Sequence, residues 1–174
     1  MNLSKWTLIA LLLSISTHSR AESCLSAIPD SVKSTVQQDN WAILQPQDLL
    51  GNDLKIWKNA HPGQCPGVAV GNFFPKADTS FLIALIQGTD PNNLLEKVLL
   101  VAQKKDRSET MVVVSPIQVN SPSVVWKLSP GHYAGIDGTR AAISRDSFVV
   151  QTINSSAKQY YYQGTHLQSF VISR

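Results

Sequence analysis

From Gly67 to the end, the sequence is a succession of short apolar or β-branched runs, each closed by Pro, Gly, Asn or charged residues. The runs at 68–73, 80–87, 97–103, 110–115, 124–128, 148–153, 159–162 and 167–172 recur at intervals of roughly ten residues. That spacing leaves no room for the crossover helix that parallel strands require, so neighbouring runs are expected to pair antiparallel. The last three, joined by Asn154-Ser155-Ser156 and Gln163-Gly164-Thr165, read as a meander, and the glycine-rich residues 129–139 read as a loop. Before Gly67 the pattern is helical. Residues 28–38 set Ile28, Val32 and Val36 four apart behind Pro29. A second helix is expected over 46–59, with Leu54 and Trp57 facing inward, a break at Gly51 and Asn52 capping the restarted part. The expected fold class is α+β: a β-dominated, mainly antiparallel sheet and meander with one or two short N-terminal helices.

The first 21 residues have a different character. Residues 7–16 are almost entirely apolar, follow Lys5 and lead to Ser19-Arg20-Ala21, a small residue on either side of an arginine. This is the layout of a secretory signal peptide, since a membrane-spanning helix needs about 20 apolar residues. Residues 1–21 are therefore expected to be a leader and 22–174 one periplasmic or secreted domain, of a size that supports a single core. No later run is long enough to span a bilayer, so stable membrane insertion after cleavage is not expected. With Lys5 and Arg20 assigned to the leader, 13 of the 15 basic residues face all 12 acidic ones. A balance so close to neutral, with one short basic cluster at 104–107, argues against a nucleic-acid partner.

Export gives the two cysteines their meaning. Cys24 and Cys65 are expected to form a disulfide, closing a loop of about 42 residues and pinning the N-terminal segment to the core. A metal pair is the weaker reading, because no CxxC accompanies them and Pro62 and Pro66 break the helical spacing between His61 and Cys65. Neither a metal nor a cofactor is expected.

Catalytic patterns are poor. His61, His132 and His166 each sit near Pro or Gly in a turn, and no GxSxG elbow, P-loop, HExxH or dinucleotide-binding glycine pattern occurs. None of the twelve acidic residues is expected to be buried, where its pKa would rise towards a catalytic value. In Tyr160-Tyr161-Tyr162 a strand would turn the outer two one way and Tyr161 the other.

One stretch carries a resemblance. Cys65-Pro66-Gly67-Val68-Ala69-Val70-Gly71-Asn72-Phe73, followed by the apolar run 80–86, resembles a hairpin of small secreted bacterial proteins of unknown role, similar to a unit of the FG-GAP type. In that family loop aspartates bind calcium. Here Asn72 stands at the usual aspartate and Asp78 is the one carboxylate of the loop, too few for an ion that takes 6–8 oxygens.

These readings lead to an expected exported, non-enzymatic domain that binds a protein partner, in the form of a periplasmic inhibitor or an immunity protein that neutralises a secreted toxin by inserting a loop into its cleft. The expected contact loop is 129–140, where glycines allow close approach and Ser129, His132, Tyr133, Asp137 and Arg140 offer anchors. The alternatives are a small envelope hydrolase using His132 with Ser129 or Asp137, and a ligand-binding or assembly accessory module.

Overall fold

The computed structural model describes residues 24–174 except Lys76, Asp78, Thr89, Pro91, Asn92, Lys105, Asp106 and Arg107. The expected leader, residues 1–21, lies outside the described residues, as do Asp78 and three members of the basic cluster. Lys104, the fourth member, is described and pairs with Glu109.

The fold is β-dominated and antiparallel, with two short helices, as the run spacing predicts. A 3₁₀ turn (Cys24–Ala27) leads into α1 (Asp30–Val36), then β1 (Ala42–Ile43), a second 3₁₀ turn (Pro46–Asp48) and α2 (Gly51–Ala60). The strands that follow are β2 (Val68–Gly71), β3 (Thr79–Gln87), β4 (Leu94–Gln103), β5 (Ser108–Val119) and β6 (Ser123–Leu128). The chain ends with β7 (Gly131–Ala134), β8 (Arg140–Ile143), β9 (Ser147–Thr152), β10 (Ala157–Gln163) and β11 (His166–Ser173).

Two sheets form the body. In the first, β3 pairs with β4 along one side and, end to end along the other, with β1 and β2, while β5 lies outside β4. The second runs in the order β11-β10-β9-β6, and its β9-β10-β11 part is the expected meander. Residues 80–86 of β3 are all buried, because both faces of the first sheet are covered. Alternation along the strand sends Phe81, Ile83 and Leu85 to a cluster with Ile28, Val32 and Val36 of the α1 segment. It sends Leu82, Ala84 and Ile86 to a second cluster with Trp57, Phe148, Val150 and Tyr162. The layers are therefore α1, first sheet, second sheet. Each fully buried aliphatic or aromatic side chain contributes roughly 1.5–3 kcal/mol, so the doubly covered β3 is the thermodynamic centre of the fold.

The edges show where local pattern was overruled. β5 is twice as long as expected and runs through Pro116, which an outer strand tolerates because its free edge needs no donor. The β4–β5 register shifts at this place, leaving Ser115 and Pro116 unmatched opposite Lys97. α2 does restart after a break, but at Gly51 rather than after a capping Asn52, and Leu50 at the cap position supplies no side-chain bond. Residues 129–139 are not simply a loop: β7 and β8 pair as a separate two-stranded ribbon.

Candidate functional site

The ribbon places the expected contact residues in register. His132 lies opposite Ala142 and Ala134 opposite Arg140, so these four share a face, and all four are exposed. The other face, with Tyr133, Ala141 and Ile143, turns inward, and Ile143 is buried. The Tyr133 hydroxyl donates to the Ser129 carbonyl, and Asp137 Oδ1 accepts from the Thr139 amide at 3.0 Å. That bond holds the Asp137 carboxyl below the ordinary carboxylate range. The tip is tied down: the Ile136 amide donates to the Val171 carbonyl at 2.9 Å in β11. Gly135 fits there because a Cβ would sit 2.6 Å from the Asp137 carboxylate and 3.2 Å from the Phe170 ring.

Of the five expected anchors, His132 and Arg140 come to one face as diagonal neighbours, and both line a shallow depression together with Ala134 and Ala142. Ser129, Tyr133 and Asp137 serve the hairpin's own hydrogen bonds. Ser129 contributes its backbone carbonyl and Asp137 its Oδ1 to bonds within the hairpin, to Tyr133 and Thr139 respectively.

A second site, which sequence reasoning missed, lies beside β2. It is a cleft of about 420 Å³ lined by the Cys24–Cys65 disulfide, Trp57, Lys58, His61, Val68–Val70 and Lys127. Cys24 and Cys65 are bonded as expected, with Cα atoms 5.4 Å apart. Trp57 is buried on α2 and its indole donates to the Gln64 carbonyl at 3.1 Å, which fixes the turn between α2 and β2. His61, at the end of α2, stacks on Trp57 with ring centroids 4.2 Å apart, and Trp126 closes the cluster 4.8 Å from His61. Burial among these rings holds the His61 imidazole below its ordinary pKa, which favours the neutral form at pH 7. The aromatic trio was hard to read from sequence because Trp126 is far from the other two in the chain.

One carboxylate departs from expectation. Glu96 is buried within the apolar β4, where its Oε2 accepts from the Ser123 amide, and desolvation raises its pKa. The statement that no acidic residue is buried therefore fails at Glu96. Nearby, Asp53 of α2 accepts from Ser121 Oγ at 2.9 Å and from Asn154 Nδ2 at 3.0 Å. Together these bonds join α2, the β5–β6 turn and the β9–β10 turn, a structural role.

Among the described residues no group of three or more His, Cys, Asp or Glu side chains is close enough to hold a metal ion. Within the FG-GAP-like stretch, the Asn72 amide is bonded to Asp146 Oδ2 at 3.0 Å. No described helix is long and apolar enough to cross a membrane. No family model, curated protein sequence or solved structure matches the chain.

Proposed function

We propose that this protein is an exported, non-enzymatic domain that binds another protein through the outward face of the β7–β8 ribbon. The observation that carries this reading is the exposed row of His132, Ala134, Arg140 and Ala142 on a two-stranded unit held by its own ladder and anchored at its tip. Such a surface loses little conformational entropy on binding, and Arg is favoured at the centre of protein interfaces. The two alanines leave room for a partner side chain between the His132 and Arg140 groups. A periplasmic inhibitor or immunity protein acting on a secreted toxin or envelope enzyme is the form proposed. The tip anchor makes the flat of the ribbon, rather than a projecting loop, the contact surface.

A photo-cross-linking residue placed at Ala142 in the mature protein should yield one discrete adduct in the compartment where the protein resides. The same group at inward-facing Ala141, or Arg140→Glu added to the Ala142 probe, should remove it. Absence of any adduct from Ala134 and Ala142 probes, with the protein folded, would end the ribbon reading. The immunity form fails separately if co-expression gives no protection against a toxin encoded beside its gene.

A further inference from the structure

We propose that the cleft beside β2 binds an extended, acidic peptide segment, which adds to the sheet as a short strand along the free edge of β2. The argument starts with the ladder. The Ala84 amide donates to the Gly67 carbonyl at 2.9 Å, and the register continues as Ala69 opposite Leu82 and Gly71 opposite Ser80. In an antiparallel ladder alternate residues turn both backbone groups to the partner. Gly67, Ala69 and Gly71 thus face β3, whereas Pro66, Val68, Val70 and Asn72 face away from it.

Both ends of that outward row are occupied. The Pro66 carbonyl accepts from the Val125 amide at 2.8 Å, and the Asn72 amide donates to Asp146 at 3.0 Å. Between them, among the described residues, β2 forms a ladder with β3 alone, and β6 packs against it without forming one. The cleft opens at this interval: Val68, Ala69 and Val70 line it, Val68 and Ala69 at its buried floor and Val70, 38% exposed, at its mouth. An edge with no second ladder can take one more strand, the main chain giving affinity and flanking pockets giving selectivity, and the two occupied ends limit the addition to a short segment.

Charge selects the occupant. Lys58 and Lys127 line the cleft, and none of the described residues that line it is acidic. Lys58 is exposed and forms no ion pair among the described residues, while Lys127 has Asp146 3.8 Å away. Val70 and the His61 ring offer an apolar wall beside these cations. An extended chain advances about 3.3 Å per residue, so about three residues would match the interval from Val68 to Val70. An acidic segment with alternating β-branched residues fits both features. The site shares no lining residue with the β7–β8 ribbon and does not depend on the reading given for it.

The test is selection of displayed random heptapeptides on the mature protein, followed by synthesis of the enriched sequence with and without N-methyl groups on alternate amides. Acidic, β-branched peptides should be enriched, and one of the two N-methylation patterns should weaken binding at least tenfold. Val70→Pro removes one outward amide without taking a bond from β3, and should weaken binding at least tenfold while the melting temperature stays within a few degrees. Lys58→Glu with Lys127→Gln should do the same, and Lys158→Glu, a charge reversal on exposed β10 outside the cleft, should leave affinity unchanged. Hydrogen exchange at Val68 and Val70 should slow at least tenfold in the complex.

The proposal is overturned if no peptide is enriched above the Val70→Pro background, or if the enriched peptides are not acidic. It is equally overturned if neither N-methylation pattern matters or if protection appears elsewhere. Concentration-dependent dimerisation abolished by Val70→Pro would give the edge to a second copy of the chain and also refute it. Should Val70→Pro fail to fold, the N-methylated peptides and the lysine variant decide the matter on an intact β2.

Discussion

Replacing both cysteines by alanine tests how the N-terminal layer is held. The disulfide joins residues 41 positions apart, and the chain between them includes α1, β1 and α2. In the chain-entropy account, releasing a loop of that length gives the unfolded state about 4 kcal/mol of freedom at 25 °C. At about 2–4 °C per kcal/mol for a domain of this size, the melting temperature should fall by about 8–16 °C. In urea, with a slope of about 2 kcal/mol/M, the midpoint should drop by about 2 M and the slope should steepen, because an uncrosslinked chain exposes more surface. Alanine is preferred to serine because Cys24 is 1% exposed and a hydroxyl there would be buried. The assay is equilibrium urea unfolding of oxidised wild type, reduced wild type and the Cys24→Ala/Cys65→Ala variant. Reduced protein and variant should agree within about 1 kcal/mol, the scatter expected of single-site packing changes. A loss below about 1 kcal/mol, with an unchanged slope, would show that the unfolded chain is not restrained by this bond and would refute the argument.

Three further outcomes follow from the packing. Phe148→Ala removes a fully buried ring that contacts Phe73 edge-on at 5.3 Å and stacks on Tyr160 at 5.3 Å, and should cost about 3–5 kcal/mol by urea unfolding; a cost under about 1.5 would contradict its place between the sheets. Glu96→Gln keeps an acceptor for the Ser123 amide and removes the buried charge. Because the folded-state pKa of Glu96 is raised, the unfolded chain ionises first as pH rises above about 4.5, and wild-type stability should fall through the folded value. The glutamine variant should lack that fall, and a wild-type–variant difference constant from pH 4 to pH 8 would count against it. Gly67→Ala puts a Cβ 2.1 Å from the Leu44 carbonyl oxygen, where β1 and β2 meet beside Ala84, and should cost more than about 2 kcal/mol in a thermal melt. Gly138→Ala, in open space at φ 86°, should cost only about 1 kcal/mol, and equal losses would discredit the close-approach reading.

Several elements were legible because their causes are local. The spacing of Ile28, Val32 and Val36 describes the buried stripe of α1, and the apolar run at 80–87 places β3 within one residue of its observed start. The two tight turns of the meander lie where Asn154 and Gly164 take positive φ, 60° and 61°. The tyrosine run divides as a strand should: Tyr160 and Tyr162 pack towards the core and Tyr161 meets Phe170 on the other face. With two cysteines in the chain, a disulfide within it had one possible pairing.

Tertiary structure decided what local pattern could not. The four-residue strands β7 and β8 are too short to stand out among glycines, and they gain definition from bonds such as that of Ile136 to Val171 in β11. Pro116 looks like a terminator until β5 is placed at an edge. The surroundings of Glu96 depend on a turn 27 residues away in sequence, and the stack of His61 on Trp57 gains Trp126 only when β6 comes beside β2. Above all, the sequence marked 68–73 as a strand, but whether its outer edge is covered depends on which strands lie beside it. Local alternation determines which side chains share a face. Only packing decides that, among the described residues, β2 forms its ladder with β3 alone while β6 packs beside it, because strand neighbours are chosen by contacts distant along the chain.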